Sequence, residues 1–216
     1  MGVRDSQSEQ TRERILEVAA DEIYRSGFQA ASTAAMLKRL GISKGALYHH
    51  FENKQALGYA VLDEYLASRC AGMWDGAIHA DDPLATIITQ LRRMGSELTP
   101  ESLSFGCPIN NLAQEMSPLD EGFRERVGRI YGHWTRSLEA ALSRAQSLGL
   151  MRESADPSAL AALIVATTQG AMGLAKNALE PGVFLKATEA MLAFLQAQQQ
   201  SAPGTTADAS PTPPST

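Results

Sequence analysis

The sequence is poor in cysteine and histidine, and both scarcities limit what the protein can be. Its 216 residues include two cysteines, Cys70 and Cys107, which are too few for a scaffold held together by disulfides. The polar N-terminal stretch has no apolar core of the kind that a signal peptide needs. We therefore expect a protein of the reducing cytoplasm.

Several catalytic motifs are also missing. The chain has no H-E-x-x-H sequence and no glycine pattern typical of nucleotide binding, and its four histidines form no obvious site. His49 and His50 are adjacent, but neighbouring side chains on a helix point about 100° apart and no third ligand is near. We therefore expect no metal, no cofactor and no enzyme activity.

The charge of the chain is unevenly distributed. The net charge of -5, from 19 basic and 24 acidic residues, by itself disfavours a nucleic-acid partner. Residues 1–69, however, hold nine basic and nine acidic side chains, so the acidic excess belongs to the rest of the chain. Residues 33–54 have a local charge of +3, from Lys38, Arg39, Lys44 and Lys54 against Glu52. An acidic protein can therefore have a basic face.

Apolar residues recur at helical spacing along almost the whole chain, and no segment shows a convincing strand pattern. The polar start (1–10) and the end (199–216), which has four prolines among small polar residues, predict flexible or disordered segments. Between them we predict about nine helices, over 11–25, 33–40, 43–50, 54–79, 83–98, 108–116, 120–147, 157–178 and 181–198.

The second and third of these helices are short and are joined by a tight turn at Gly41 and Ile42. Ser32 or Thr33, and then Ser43, stand where helix N-caps are expected. The run 54–79 predicts a single long amphipathic helix that connects this unit to the rest of the chain.

Residues 157–175 carry no charged side chain and are apolar or small all round, so we expect this helix to be buried on every side. A membrane span is the alternative. It is disfavoured by the central Thr167, Thr168 and Gln169, and by a length at the lower limit of the ~20 residues that span a bilayer.

Residues 120–148 combine an apolar stripe with a second surface of small residues at Gly128, Gly132 and Thr135. Small residues let another helix approach closely. We expect the helices of about 120–148 and 157–178 from each of two chains to form a four-helix dimer interface.

The segment TAAMLKRLGISKGALYHHFENKQAL, residues 33–57, resembles the DNA-binding domain of the TetR family of transcriptional regulators. The resemblance runs from Thr11 to about Tyr65 and is most specific in G-I-S-K-G-A-L-Y-H-H-F; where many members have an Ile-Ala pair, this chain reads Ala34, Ala35, Met36. It implies an all-α, TetR-like fold. A three-helix helix-turn-helix domain would span 11–56, with its motif at about 32–51, and a helical ligand-binding and dimerisation domain would span 57–198.

The residue types of the motif suit DNA on chemical grounds as well. Small side chains in the first turn of the second short helix let its backbone approach a major groove closely. Lysine can reach a base edge or a phosphate, and tyrosine and histidine can donate to phosphate oxygens. By resemblance, the expected contacts are Thr33, Lys44, Tyr48, His49 and Lys54, with Ser43, Gly45 and Ala46 lining the groove.

The resemblance further implies that the C-terminal helices enclose a pocket for a small-molecule effector. Each candidate also has an ordinary structural role as its alternative, since tryptophan and methionine are usually core residues and asparagine often serves backbone groups in turns. No cluster of charge indicates a charged ligand. The candidates are Met73, Trp74, Phe105, Cys107, Asn110, Asn111, Gln114, His133, Trp134, Gln169 and Met172.

Cys107 lies in F-G-C-P-I-N-N-L-A-Q-E, which resembles a branch of the family whose repressors respond to reactive electrophiles through a cysteine at this place. A sensor cysteine needs a stabilised thiolate, which the helix start at Pro108 could supply. No Lys or Arg lies nearby in the sequence, so a buried, inert thiol is the alternative.

These features predict a homodimeric DNA-binding regulator, a repressor that a small molecule releases from a palindromic operator. Its expected partners are double-stranded operator DNA, a second copy of the chain and an effector of unknown identity, with no membrane. An activator, or a repressor that senses electrophiles or redox state through Cys107, is the alternative.

Overall fold

The computed structural model describes residues 3–200, and these form the expected all-α fold. Apart from one isolated bridge between Met151 and Gln199, the same residues contain no β-structure. The helices are α1 (Val3–Ser26), α2 (Thr33–Leu40), α3 (Lys44–His50), α4 (Lys54–Ala60), α5 (Ala67–Cys70), α6 (Asp75–Ile78), α7 (Pro83–Ser96), α8 (Pro100–Phe105), α9 (Pro108–Met116), α10 (Glu121–Ser147), α11 (Pro157–Ala178) and α12 (Pro181–Gln196).

Helix α1 begins at Val3, well before the predicted start at Thr11, so most of the N-terminal stretch expected to be flexible is helical. Gln, Glu and Arg side chains favour a helix without needing an apolar face, which is why periodicity alone missed this part. Ile15, Leu16, Ala19 and Ile23 form an apolar stripe at helical spacing and are all buried. α1 ends at Ser26 because Gly27, with φ 81°, takes the left-handed conformation of a helix C-terminus.

The connecting segment is less regular than the single helix predicted over 54–79. A π-helical turn, Val61–Leu66, separates α4 from α5, and a 3₁₀ turn, Ala71–Trp74, separates α5 from α6. Leu57 and Val61 are buried one turn apart, and the next buried positions are Leu62 and Leu66, displaced by one residue. A π turn accommodates such a displacement because it holds one more residue than an α turn.

Helix α10 is the central helix of the C-terminal part, and α6, α7, α9 and α11 all pack against it. Its predicted apolar stripe is buried from Phe123 to Ala145, whereas Leu148 is half exposed because it lies beyond the end of the helix. The predicted small-residue surface is not free of charge, since exposed Gly128 is flanked by exposed Arg124 and Arg129. α10 is therefore chiefly a core helix of its own chain, and this arrangement argues against its predicted place in a dimer interface.

The single chain buries only one side of helix α11, so the expected burial on every side would require a second polypeptide. Its inner face packs between α10 and α12, whereas Leu163 and Leu174 on its outer face are 40% and 62% exposed. Among the described helices, α11 is long and apolar enough to cross a membrane by length and composition alone, a criterion that core helices of soluble proteins also meet. An uncharged exposed face of this kind is typical of a surface that another polypeptide covers.

The N-terminal helices join the C-terminal part at a close-packed seam. Phe28, which follows α1, and Phe123 of α10 stack with ring centroids 4.6 Å apart. Gly58 of α4 lies against both rings, and a Cβ atom there would come within 2.5 Å of Phe28 and 2.7 Å of Phe123. Only glycine allows α4 this close to the two rings, so the seam fixes where the N-terminal helices stand.

The end of α12 is hydrogen-bonded to the loop after α10. The amide of Gln200 donates to the carbonyl of Leu150, and the amide of Arg152 donates to the carbonyl of Gln198. Residues 199 and 200 therefore belong to the folded part, because the loop at 150–152 offers them backbone partners. The remainder of the predicted disordered tail, 201–216, lies outside the described residues.

Candidate DNA interface and effector cleft

Helices α2 and α3 form the predicted helix-turn-helix, and local capping fixes its geometry. The Ser32 hydroxyl accepts from the Ala35 amide at the start of α2, and Ser43 accepts from Ala46 at the start of α3. Between them Gly41 ends α2 with φ 67°, in the left-handed region. The turn is short because one helix stops on a glycine and the next is capped two residues later.

Four of the eight predicted DNA contacts lie together on the exposed side of α3. Lys44, Gly45, Tyr48 and His49 are all exposed, at spacings that share one helix face, while Leu47 on the opposite side is 2% exposed and anchors α3 in the core. Ser43 is also exposed at the start of the helix. The Lys44 amine lies 5.7 Å from the centroid of the Tyr48 ring.

Thr33, Ala46 and Lys54 are half-buried rather than exposed. The Lys54 amine donates to the carbonyl of Gln29 at 3.0 Å and lies over the Phe28 ring. Lys54 therefore holds the loop after α1, and its contact with DNA stays a prediction.

Fewer basic side chains are available at the motif than the sequence count over residues 33–54 suggests. The Arg39 guanidinium pairs with Asp21 at 2.7 Å and lies 3.8 Å from Glu22, both on α1. These carboxylates come from outside residues 33–54 and neutralise one of the four basic groups counted there. Burial, with the nearby His49 and Arg12, lowers the pKa of His50, which favours its neutral form. The uncommitted charge at the motif is thus concentrated at Lys38 and Lys44, both exposed.

The predicted effector residues fall into three groups. Phe105, Asn111 and Gln114 line an open cleft of about 590 Å³ between α1, α8, α9 and α11, with the connecting turn after α1. Tyr24, Arg25, Glu115 and Lys176 line the same cleft and were not among the predicted residues. The cleft has walls from both the N-terminal and the C-terminal part of the chain.

A second group forms a polar cluster inside the C-terminal part. The Tyr131 hydroxyl donates to the Asn110 side chain at 3.2 Å, and the Asn110 amide donates to the carbonyl of Gln169 at 3.4 Å. The side-chain oxygen of Gln169 is buried and has no hydrogen-bond partner among the described residues. Burial raises the pKa of Tyr131, so its hydroxyl stays protonated and remains a donor.

The third group belongs to the core or to local contacts. Trp74 and Trp134 are 3% and 2% exposed, and the Trp134 indole donates to the carbonyl of Cys70. These residues serve packing, which was the structural alternative for them. Met73 and Met172 likewise pack against buried side chains, and His133 bonds to Asp75.

Cys107 occupies the N-cap position of α9, directly before Pro108, and its side chain makes no capping hydrogen bond. The helix N-terminus does not produce a thiolate, however. Burial raises the pKa of Cys107 to about 11, although hydrogen bonds from the backbone of Asn110 and Ile109 act in the opposite direction. A thiol that is protonated at neutral pH argues against a sensor role for Cys107 and favours the inert thiol.

Two contacts that the sequence did not indicate join the cleft to α1 and to the loop after it. The Glu115 carboxylate of α9 accepts from the backbone amides of Phe28 and Gln29, each at 2.8 Å. The Tyr24 hydroxyl of α1 donates to the carbonyl of Gly106 at 2.7 Å. Both join residues more than 80 positions apart, so no local pattern could reveal them.

No group of three or more His, Cys, Asp and Glu side chains that could hold a metal occurs within residues 3–200. Residues 41–45 happen to read G-x-S-x-G, the string of a hydrolase nucleophile turn. That turn follows a β-strand, whereas Ser43 follows helix α2 and uses its hydroxyl to cap α3.

Two family models match the chain in the parts just described. Residues 15–61 match the model described as bacterial regulatory proteins, tetR family. Residues 83–191 match the model described as tetracyclin repressor-like, C-terminal domain.

Individual proteins agree with these matches. The chain is 29% identical over 167 residues to an uncharacterized HTH-type transcriptional regulator in the lacX 3' region of Lactococcus lactis, covering 77% of this chain and 83% of that protein. It is 24% identical over 161 residues to the HTH-type transcriptional repressor DhaR of a Mycobacterium species, covering 74% and 80%. The crystal structure of a TetR transcriptional regulator from Chloroflexus aurantiacus is 26% identical, with a TM-score of 0.79 over 91% of this chain and 100% of that one.

The raised pKa of Cys107 predicts slow alkylation. Since iodoacetamide reacts with the thiolate, we expect Cys107 to be labelled about a hundredfold more slowly at neutral pH than N-acetylcysteine, and the rate to rise as the pH approaches 11. Mass spectrometry of the digested protein separates its labelling from that of Cys70. Labelling of Cys107 at neutral pH as fast as that of N-acetylcysteine would contradict the assignment of a protonated thiol.

Proposed function

The chain belongs to the TetR family of transcriptional regulators, and from this we propose that it acts as a homodimeric repressor, released from a palindromic operator by a small-molecule effector. The observation that carries the proposal is the exposed face of α3, where a lysine, a glycine, a tyrosine and a histidine stand together. The relative that is named a repressor favours repression over activation. Operator binding would take place in the cytoplasm.

On DNA, α3 enters the major groove with its N-terminal turn foremost. The bare Gly45 and small Ala46 allow the backbone to approach, so that Lys44 reaches a base edge or a phosphate. Tyr48 and His49, one turn later, donate to phosphate oxygens. Thr33 and Lys54 flank the groove from the neighbouring helices.

The second copy of the chain covers the uncharged outer face of α11. Support comes from exposed Leu163 and Leu174 and from α12, which packs beside α11 and adds exposed Leu185 and Phe194. The charged outer side of α10 makes α12 the better second helix of a four-helix interface. Two-fold symmetry then places the two α3 helices to read successive major grooves, about 34 Å apart.

Effector action is a shift between two arrangements of the paired helix-turn-helix units. A ligand that binds more tightly when the two α3 helices are wrongly spaced lowers operator affinity by its differential affinity for that state. The Glu115 and Tyr24 contacts support this coupling because they join the C-terminal helices directly to α1 and the loop after it. The close packing of Gly58 against Phe123 likewise transmits movement of α10 to α4.

The proposed role of Lys44 predicts that Lys44→Ala weakens operator binding about ten- to a hundredfold, because it removes a base or phosphate contact of α3. DNA selected from a random pool by the wild-type protein supplies the operator, and fluorescence anisotropy at several salt concentrations measures affinity. If Lys44 meets a phosphate, the slope of affinity against salt falls by about one.

Arg92→Ala is the matched control, because it removes one exposed positive charge from α7 of the C-terminal part. We expect it to bind the selected DNA as the wild type does, and both variants to remain dimers in size-exclusion chromatography with light scattering. Equal affinity of Lys44→Ala and the wild type, or failure to enrich any DNA sequence, would overturn the proposed interface.

The proposed dimer face predicts that Leu174→Glu yields a monomer, since a charge on an apolar interface loses its hydration without gaining a partner. Leu119→Glu is the control: Leu119 is 63% exposed, against 62% for Leu174, but lies in the turn before α10. Light scattering should give a dimer for the wild type and Leu119→Glu and a monomer for Leu174→Glu. A dimer that persists in Leu174→Glu would place the interface elsewhere.

A further inference from the structure

The cleft between α1, α8, α9 and α11 has an unusual balance of charge. Three charged side chains line it, and two of them are committed to partners. Arg25 bonds to Asp21 at 2.8 Å and also pairs with Glu101. Glu115 receives the two backbone amides of Phe28 and Gln29. The third, Lys176, is the remaining cation of the cleft.

The Lys176 amine is half-buried and donates to the side-chain oxygen of Asn111 at 3.1 Å. Within residues 3–200, no carboxylate forms an ion pair with it. A partly desolvated ammonium group bonded only to a neutral amide retains a strong preference for an anion. It is the one cation of the cleft that lacks a charged partner in the described structure.

The Lys176 side chain is also held in place. Its stem lies across Gly106, where a Cβ atom would come 3.1 Å from the lysine Cδ, and Gly106 has φ 75°. Asn111 is fixed in turn by donating to the carbonyl of Phe105 at 2.6 Å. A ligand would therefore meet a positioned amine rather than a freely moving one.

The remaining wall is aromatic. Phe105 and Tyr24 lie with ring centroids 5.4 Å apart, and the Arg25 guanidinium covers Phe105 at 5.1 Å. Such a wall suits an apolar or aromatic body. One uncommitted cation together with the negative Glu115 favours a single negative charge over two.

We propose that this cleft binds a small organic monocarboxylate, with the carboxylate on Lys176 and the apolar body against Phe105 and Tyr24. The proposal rests on the function proposed above and names the chemical class of its effector. The ligand enters between α1 and α8, where the hydroxyl of Tyr24 bonds to Gly106, so its binding competes with a contact that holds α1 against the C-terminal part. Carboxylate binding then lowers operator affinity.

The test uses the full chain and two matched probe pairs, benzoate with benzamide and hexanoate with hexanamide, in isothermal titration calorimetry. We expect each carboxylate to bind the wild type and each amide, which lacks the charge, to bind at least about tenfold more weakly. Inorganic phosphate, which has no apolar body, should bind more weakly than either carboxylate. Equal binding of acid and amide, or no binding of either carboxylate at millimolar concentration, overturns the proposal.

Three variants assign the effect to the lysine. Lys176→Met keeps the apolar stem and should weaken carboxylate binding about ten- to a hundredfold, since hydrogen bonds to charged groups are the strong ones. Lys176→Arg should retain most of the carboxylate affinity, and Arg92→Met should leave that affinity unchanged. Undiminished binding by Lys176→Met contradicts the site, and circular dichroism with thermal melts establishes that the variants fold.

Operator release is measured separately by anisotropy on the DNA selected above. Carboxylate binding that depends on Lys176 without loss of DNA affinity would support the site but contradict its role as the effector site. Absence of sequence-specific DNA binding in the wild type would contradict the proposed function, and the calorimetry would still decide the ligand site.

Discussion

The contact between α9 and the loop after α1 holds the rest of the arrangement together. The Glu115 carboxylate takes two backbone amides of that loop, and beside it Gly58 lets α4 press against Phe28 and Phe123. Charge-assisted hydrogen bonds and close packing at one seam fix the orientation of α2 and α3 relative to the C-terminal helices. The proposed function needs such a junction, because a change among the C-terminal helices would have to reach α2 and α3.

The distribution of charge serves this arrangement. A net charge of -5 is compatible with a DNA-binding surface because the acidic excess lies outside the first third of the chain. The structure lowers the number of basic side chains available to DNA. Arg39 is neutralised by Asp21, and Lys54 is bonded to the carbonyl of Gln29. What remains for DNA is a small surface around Lys38 and Lys44. In the proposed dimer, a weak, localised attraction would leave specific binding dependent on two correctly spaced copies of α3.

The sequence predicts best what is decided locally. The ends of α2 and α3 depend on Ser32, Gly41 and Ser43, whose side chains or backbone preferences act within four residues, and these boundaries are confirmed. The exposed side of α3 follows from helical spacing in the same way. The π turn at Val61–Leu66 escaped prediction because the displacement of buried positions depends on the neighbouring helices. The exposure of α11, the partners of Arg39 and the place of Lys176 beside Asn111 all depend on residues distant in sequence.

The central claim is that the C-terminal helices hold the helix-turn-helix in its DNA-binding position through Glu115. The operator affinity of Glu115→Gln, measured beside the exposed neighbour Gln114→Ala, tests it most directly. Glutamine keeps the shape of the glutamate side chain but lacks its charge and one of its two acceptor oxygens. The loop after α1 is then held less firmly, while no residue of α3 is changed. We predict operator binding about five- to thirtyfold weaker than in the wild type, with Gln114→Ala unchanged. Equal affinities of Glu115→Gln and the wild type would contradict the account.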